Sequence, residues 1–511
     1  MAHRVNLDAM IVREDFGIQD DQEFDLDLFT NFPISNLSLD SPILKLLRKP
    51  DFQRETHQWT PVQIATFIAS FLDNEVIPSL ILWNSPSFIF VIDGGHRLSA
   101  LRAWMEDDYG DGQISNAFYE RHISDNQKQI AGKTRKIIEK QIGRFSTLKG
   151  LVDSKGATAQ ERRAKRLFTR GLQVQWVQGT ASVAESSFYK INSQGTPLDE
   201  IEELLIRNRK KPIAIGARAI LRSGTGNKYW SEFDDSHQMK IKELSRTLYE
   251  LLFEPEMDIP VKTLELPFGG IVSPLDALSV LVELLTITSA QYKTENGKTK
   301  SKNISDYDDD DSGKDTIDVL NRCINVLNRV TGNYAGSLGL HPAVYFYNER
   351  GKHSRIMFLA IVTLVTNKLK NNDDLFFRKF STARKKLEEF LIVHKSLIST
   401  SLQNMSNGQR VQNMINLFEF LIMKFSSEQN VTIEEAMSSM GLQGRILDLA
   451  SDSKPVKFSD DVKSMAFIEE ALVKTLTCAV CGGILDPKKS SLTITKFVLE
   501  KEEPAQKKTY N

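Results

Sequence analysis

The sequence predicts an α+β protein, with a mixed domain first and a mainly α-helical domain after it. Three observations carry this. Between residues 60 and 104 a capped amphipathic helix is followed by two short apolar runs separated by a turn, then by a second helix. From about residue 230 to 470 apolar residues recur at helical spacing, with long stripes at 275–285 and 356–369. At 511 residues the chain is long enough for several domains, each with its own core.

Taken in order, residues 1–49 are mixed in character and acidic around Asp20-Asp21-Gln22-Glu23, and they read as an N-terminal arm. Residues 50–230 form the first domain. Thr60-Pro61 starts a helix, with Thr as N-cap, Pro at the first helical position and Gln63 placed to close a capping box. Ile64, Phe67, Ile68, Phe71 and Leu72 make its apolar face, and Pro78 is expected to end it. Residues 80–83 and 88–92 read as strands around a turn. The next helix has Asp93 at its N-cap and Leu98, Leu101 and Trp104 inward. Residues 111–185 read as mainly helical and charged, and Thr196-Pro197 starts a further helix. Residues 231–470 are the helical domain. It is interrupted at 293–316 by a polar stretch containing Asp306-Tyr307-Asp308-Asp309-Asp310-Asp311, which reads as a solvated loop. The run Gly336 to Tyr347 fits core packing better than base stacking.

Composition excludes several classes. No apolar run is long enough to span a membrane, and the first residues lack the apolar stretch of a signal peptide. Three cysteines make no disulfide framework and point to a cytoplasmic protein. The net charge of −1 does not announce nucleic-acid binding. Local basic clusters do occur at residues 133–149, at 161–166 and at Arg207-Asn208-Arg209-Lys210-Lys211, and each reads first as a solvated helix face.

The strongest chemical signal is a buried strand running into Asp93-Gly94-Gly95-His96-Arg97 and a helix. Glycines let backbone approach a ligand, and the N–H groups of a helix start attract anions. Arg97, one turn in, is of the type that forks onto phosphate. Asp93 is placed to cap the helix, to hold a metal ion or to orient Arg97. Upstream, Gln53-Arg54 offers a second phosphate-binding arginine above Trp59. A capped helix with a tight turn explains the same pattern without any ligand.

Gln53-Arg54, Trp59, the amphipathic helix, Ile77-Pro78 and the run Val91 to Leu101 together resemble the ParB/sulfiredoxin-like N-terminal domain of the GmrSD family. That family typically shows Asp-Gly-Gln-Gln-Arg at this turn, and here Gly95 and His96 stand in place of the glutamines. The later Phe188-Tyr189-Lys190-Ile191-Asn192-Ser193-Gln194-Gly195-Thr196-Pro197-Leu198 resembles the family's Phe-x-x-Ile-Asn-x-x-Gly-x-x-Leu block. The resemblance implies a ParB-like domain that binds and hydrolyses a nucleoside triphosphate with a divalent ion, magnesium, in defence against phage DNA. Its catalytic residues would be Asp93, His96 and Arg97, and its nucleotide-binding residues Gln53, Arg54, Gly94, Gly95, Asn192 and Gly195. The implied partners are foreign DNA and a partner protein or a second copy of the chain. The alternatives are an endonuclease acting through the ParB-like domain, or a non-catalytic subunit that binds DNA or a partner.

Residues 471–511 contain Cys478-x-x-Cys481, two zinc ligands where zinc needs four. The context resembles the entry to an HNH nuclease module. No histidine or cysteine follows Cys481, so the reading is a degenerate, truncated or frameshifted HNH-like tail without its own zinc.

Overall fold

The computed structural model describes residues 4–14, 16, 28–51, 53, 56–153, 158–194, 199–257, 259–270, 274–289, 293–295, 298–300, 303–332, 336–442, 459–478 and 480–486. The chain forms two compact units, Met1–Arg209 with Thr225–Tyr229, and Lys210–Gly224 with Trp230–Asn511.

The first unit is built on six strands: β1 (Arg13–Glu14), β2 (Asn31–Pro33), β3 (Leu47–Pro50), β4 (Leu80–Asn84), β5 (Ile89–Asp93) and β6 (Gly171–Val177). Their order is β1-β3-β5-β4-β6-β2. β1, β3 and β5 run parallel; β4 is antiparallel to β5 and parallel to β6; β2 is antiparallel to β6. Nine helices complete the described part of this unit: α1 (Pro42–Leu46), α2 (Pro61–Leu72), α3 (Gly95–Glu106), α4 (Gln113–Phe118), α5 (Asp125–Gln141), α6 (Phe145–Gly150), α7 (Ala159–Thr169), α8 (Ala181–Gln194) and α9 (Glu200–Arg207).

Side chains alternate across the two faces of the sheet, as strand geometry requires. Leu80, Leu82, Ile89 and Val91 join Ile64 and Ile68 of α2 and Leu98 and Leu101 of α3 in one core. Trp83, Phe90 and Ile92 join Phe16, Ala184 and Phe188 of α8 and Ile206 of α9 in the other. β5 thus sends side chains into both cores, and α3, which follows it, packs into the first.

The expected capping box at Thr60 and Gln63 is present. Helix α2 stops at Leu72, before Pro78, because Asn74 turns left-handed at φ 65° and the chain runs on extended. Three of the six strands come from residues 1–49 and the start of the following segment, and Val5, Leu7, Met10 and Ile11 are buried. Strand β6 lies within the stretch read as helical, although Leu172 and Val174 alternate with exposed Gln173 and Gln175. Asp199, not Thr196, caps α9, through a capping box with Glu202. Residues 195–198 lie outside the described residues.

Among the described residues, the named elements of the second unit are helices and a small hairpin of β7 (Lys293–Glu295) and β8 (Lys298–Lys300). Its described helices are α10 (Pro212–Leu221), α11 (Asp235–Phe253), α12 (Pro274–Ser289), α13 (Lys314–Thr331), α14 (Pro342–Tyr345), α15 (Arg355–Lys370), α16 (Asp374–Val393), α17 (Lys395–Gln403), α18 (Arg410–Ser426), α19 (Ile433–Ser439) and α20 (Asp460–Lys474). The chain is thus α+β with a helical remainder. Tyr345, Phe346 and Tyr347 are fully buried, so that aromatic run is core packing.

The acidic stretch is not wholly solvated. Buried Asp310 accepts from Gly313 N at 2.7 Å and from Thr316 N and Oγ1 at 2.8 and 2.7 Å, fastening the start of α13. Among the described residues no helix is long and apolar enough to cross a membrane.

Candidate functional site

The turn from β5 into α3 is fixed by packing. Gly94 sits at φ +103°, and a Cβ there would lie 2.4 Å from Leu80 Cδ2, so both conformation and space demand glycine. The N-cap of α3 is Gly94 with no side-chain cap, so Asp93 does not cap the helix. Asp93 is the last residue of β5, and its carboxylate accepts from Arg97 Nη2. Arg97 is buried, and its Nη1 donates to Pro78 O and, at 3.3 Å, to Ser79 O. Its guanidinium thus braces the turn against the chain entering β4.

Gln53 lies against the first residue of α3. Its Oε1 is 3.4 Å from where a Gly95 Cβ would stand. Its Nε2 donates to Val91 O at 3.3 Å and Ile92 O at 3.4 Å. The buried Oε1 has no hydrogen-bond partner among the described residues. A side chain at position 95 would also meet Lys49 Cδ at 3.8 Å.

Lys49 opens onto a charge cluster that the sequence did not disclose. It is fully buried, and its Nζ donates to Asp8 O at 3.0 Å, Asp8 Oδ1 at 2.9 Å and Thr56 Oγ1 at 3.1 Å. Arg13 donates to the other oxygen of Asp8, and through Nε to Gln53 O at 3.3 Å. Two buried cations thus share one carboxylate. Burial pushes the Lys49 ammonium down to about 8, against the pull of Asp8. Burial opposes ionisation of Asp8, but Arg13 and Lys49 hold its carboxyl well below the usual range. Lys49 lies beside the N-terminal end of α3, and a buried ammonium and a helix start both favour an anion.

On the next side, His96 Nε2 accepts from Gln58 N at 3.4 Å, and its ring lies 5.7 Å from that of Trp59. Gln58 Nε2 donates to Glu202 Oε1 of α9 at 3.3 Å. The structure therefore brings Gln53, Asp93, Gly94, Gly95, His96 and Arg97 together. Arg54 and Gly195 lie outside the described residues. Asn192 is in the last turn of α8, and its side chain is outside them too. Sequence reading missed Asp8, Arg13, Lys49, Thr56, Gln58 and Glu202, which come from distant segments and carry no shared spacing.

Of the basic clusters, Arg135 is bound to Asp107 and Asp111, and Arg163 to Asp73. Lys133, Lys136 and Lys140 are exposed, at spacings that put them on one side of α5. Among the described residues no group of three or more His, Cys, Asp or Glu side chains is arranged to hold a metal.

Residues 34–209 match the family model described as GmrSD restriction endonuclease, N-terminal domain. No curated protein and no solved structure matches the chain.

Proposed function

We propose that the chain, whose residues 34–209 form a GmrSD-type N-terminal domain, is the nucleotide-binding and nucleotide-hydrolysing component of a system that restricts foreign DNA. The observation that carries the site is the start of α3, where Gly95 lies over Gln53 beside a buried cluster of one carboxylate and two cations. A polyphosphate is the ligand class that suits this arrangement. Gly95 lets its oxygens reach backbone N–H groups, and the buried ammonium of Lys49 stands behind them.

Asp93, whose side chain is 42% exposed, is the carboxylate that would hold magnesium, an ion usually bound by one or two carboxylates plus phosphate. Magnesium, when bound, would offset charge on the phosphates. Arg97 orients Asp93 rather than gripping phosphate. His96 is the candidate base, with one ring nitrogen accepting from Gln58 N. Exposed Lys133, Lys136 and Lys140 offer contacts to DNA phosphates.

The test is binding and hydrolysis of the four ribonucleoside triphosphates by the purified chain, with and without DNA, beside Asp93→Asn and Gln53→Ala. Hydrolysis that both substitutions reduce supports the site. Absence of nucleotide binding by the unsubstituted chain overturns it. A second reading, in which this domain itself cuts DNA, draws on the restriction endonuclease description of the matching family. DNA cleavage that needs no nucleotide and is lost in Asp93→Asn would favour that reading.

A further inference from the structure

The chain has a net charge of −1, but its positive charge is not spread evenly. Residues 128–170 hold thirteen Lys or Arg against three Asp or Glu. The described part of this stretch folds into α5, α6 and α7. Arg163 of α7 donates to Gln141 O at 3.1 Å, which sets α7 beside the end of α5. Lys136, Lys140, Lys149 and Lys165 are exposed. A basic surface on a chain of balanced charge is the footprint that a phosphate backbone recognises.

Beside α5 this surface opens into a recess of about 90 Å³. Trp104 and Phe145, edge to face with ring centroids 5.2 Å apart, make part of its wall. Trp104 Nε1 donates to Gly143 O at 3.0 Å, so the indole is fixed. Arg135 makes another part. Its Nε donates to Asp107 Oδ1 at 3.0 Å and its Nη2 to Asp111 Oδ1 at 2.8 Å, and its Cζ lies 5.5 Å from the centre of the Tyr109 ring. A guanidinium held between two carboxylates is a surface on which a base can stack.

One group of the wall is unspent. Tyr109 is 2% exposed, yet its hydroxyl makes no hydrogen bond among the described residues. Asp107, Arg135 and Glu139, which line the same recess, act electrostatically on it. A hydroxyl this deep usually has a partner, and the recess is where one would sit. At the rim, Arg144 Nε donates to Glu139 Oε1 at 2.5 Å, with the two side chains 57% and 36% exposed. Exposed ion pairs contribute little, so this one can part for a ligand.

We propose that the recess takes one unstacked pyrimidine base of a DNA strand whose phosphates run over Lys136, Lys140 and Lys149. Lys136 and Lys140 directly follow the wall residues Arg135 and Glu139 along α5, and Lys149 lies one turn from Phe145 on α6. At about 10–15 Å³ for each water-sized group, the recess admits about six to nine of them, which suits a pyrimidine and falls short of a purine. Tyr109 offers the edge of the base a donor or an acceptor, and Asp107 and Glu139 offer acceptors. Taking a base out of the stack is least costly where it is unpaired, so the recess favours DNA with an unpaired pyrimidine. This site rests on the reading that the chain meets foreign DNA and is separate from the nucleotide site.

The test measures affinity of the full chain for labelled DNA duplexes that differ at one position: fully paired, or carrying one bulged thymidine, one bulged deoxyadenosine or one bulged abasic residue. The bulged thymidine should bind about tenfold more tightly than the paired duplex, and the deoxyadenosine and abasic bulges should lose most of that gain. Ser146→Trp, which brings an indole into the recess from an exposed position on its wall, should erase the preference. Its affinity for paired DNA and its melting temperature should match those of the unsubstituted chain. Lys136→Glu with Lys140→Glu should instead weaken binding to every duplex and flatten the salt dependence. No DNA binding by the unsubstituted chain would remove the DNA reading and this site with it. Binding with no preference for the bulged thymidine, a preference that survives the abasic residue or Ser146→Trp, or tighter binding to RNA of the same sequence would overturn the base site alone.

Discussion

Both units bury charge, but they balance it differently. In the first, Arg13 and Lys49 share the carboxylate of Asp8. In the second, Arg384 pairs with Glu388 alone, at 2.9 Å, and spends its other N–H groups on Leu338 O, Gly339 O and Ile484 O. Tyr345 OH donates to Glu388 at 3.0 Å. The second arrangement is neutral and fully engaged, which suits a group that pins loops and a hairpin together. The first gathers two cations around one carboxylate next to the glycines that open α3.

The sharpest break in that comparison is to remove each carboxylate. Asp8→Ala leaves two buried cations and strands Thr56 N, while Glu388→Ala leaves one cation. Each should lower stability by about 3–5 kcal/mol, with Asp8→Ala the worse, as read by denaturant unfolding. Equal, small losses would mean that neither carboxylate is the partner that keeps its cations buried.

Acid should act next, and on the second unit. Burial pushes the His353 imidazole down to about 4 and that of His341 down to about 3, the latter helped by Lys395 and Arg384. The unfolded chain takes up these protons near pH 6.5 while the folded chain does not, so stability falls as pH drops below about 6.5 toward 4. With two imidazoles the slope approaches about 2.7 kcal/mol per pH unit. A melting temperature that does not change between pH 7 and 5 would contradict the neutral, buried state of both rings.

Gly94→Ala comes third. It meets Leu80 and a left-handed backbone at once, and should cost about 1–3 kcal/mol together with the geometry of the turn. Lys49→Met tests the buried cations directly. It removes one of the two cations at similar volume, so folding should change little, while nucleotide affinity drops about tenfold, about 1.4 kcal/mol. Unaltered affinity, measured by titration calorimetry, would assign the cluster to architecture after all. The smallest effect is expected for His96→Gln, which keeps a hydrogen-bond acceptor at that position. If His96 serves only by accepting from Gln58 N, hydrolysis should stay within about twofold of the unsubstituted chain. A large loss would make the imidazole itself part of the chemistry.

The same contrast governs how much of the molecule could be read in advance. The Thr60–Gln63 capping box, the inward face of α3 at Leu98, Leu101 and Trp104, and the strand pair β4 and β5 were legible because each depends on residues a few positions apart. The helices at 274–289 and 355–370 were legible by periodicity. The first strands were not, since β1 and β2 have two and three residues and show no pattern outside the sheet that completes them.

The sequence by itself determined where the chain must turn, where helices start, and which positions lack a side chain at Gly94-Gly95 and Gly482-Gly483. Torsion limits, capping and hydrophobic period act within a few residues, and the side chains themselves encode them. Only the tertiary structure decided what stands beside those turns. Lys49 meets Asp8 across 41 residues and Ile484 meets Glu388 across 96, through strand pairing and helix packing that no local spacing records. It also tied Arg97 into a brace, because its carbonyl partners at Pro78 and Ser79 come within reach only once β4 has paired with β5.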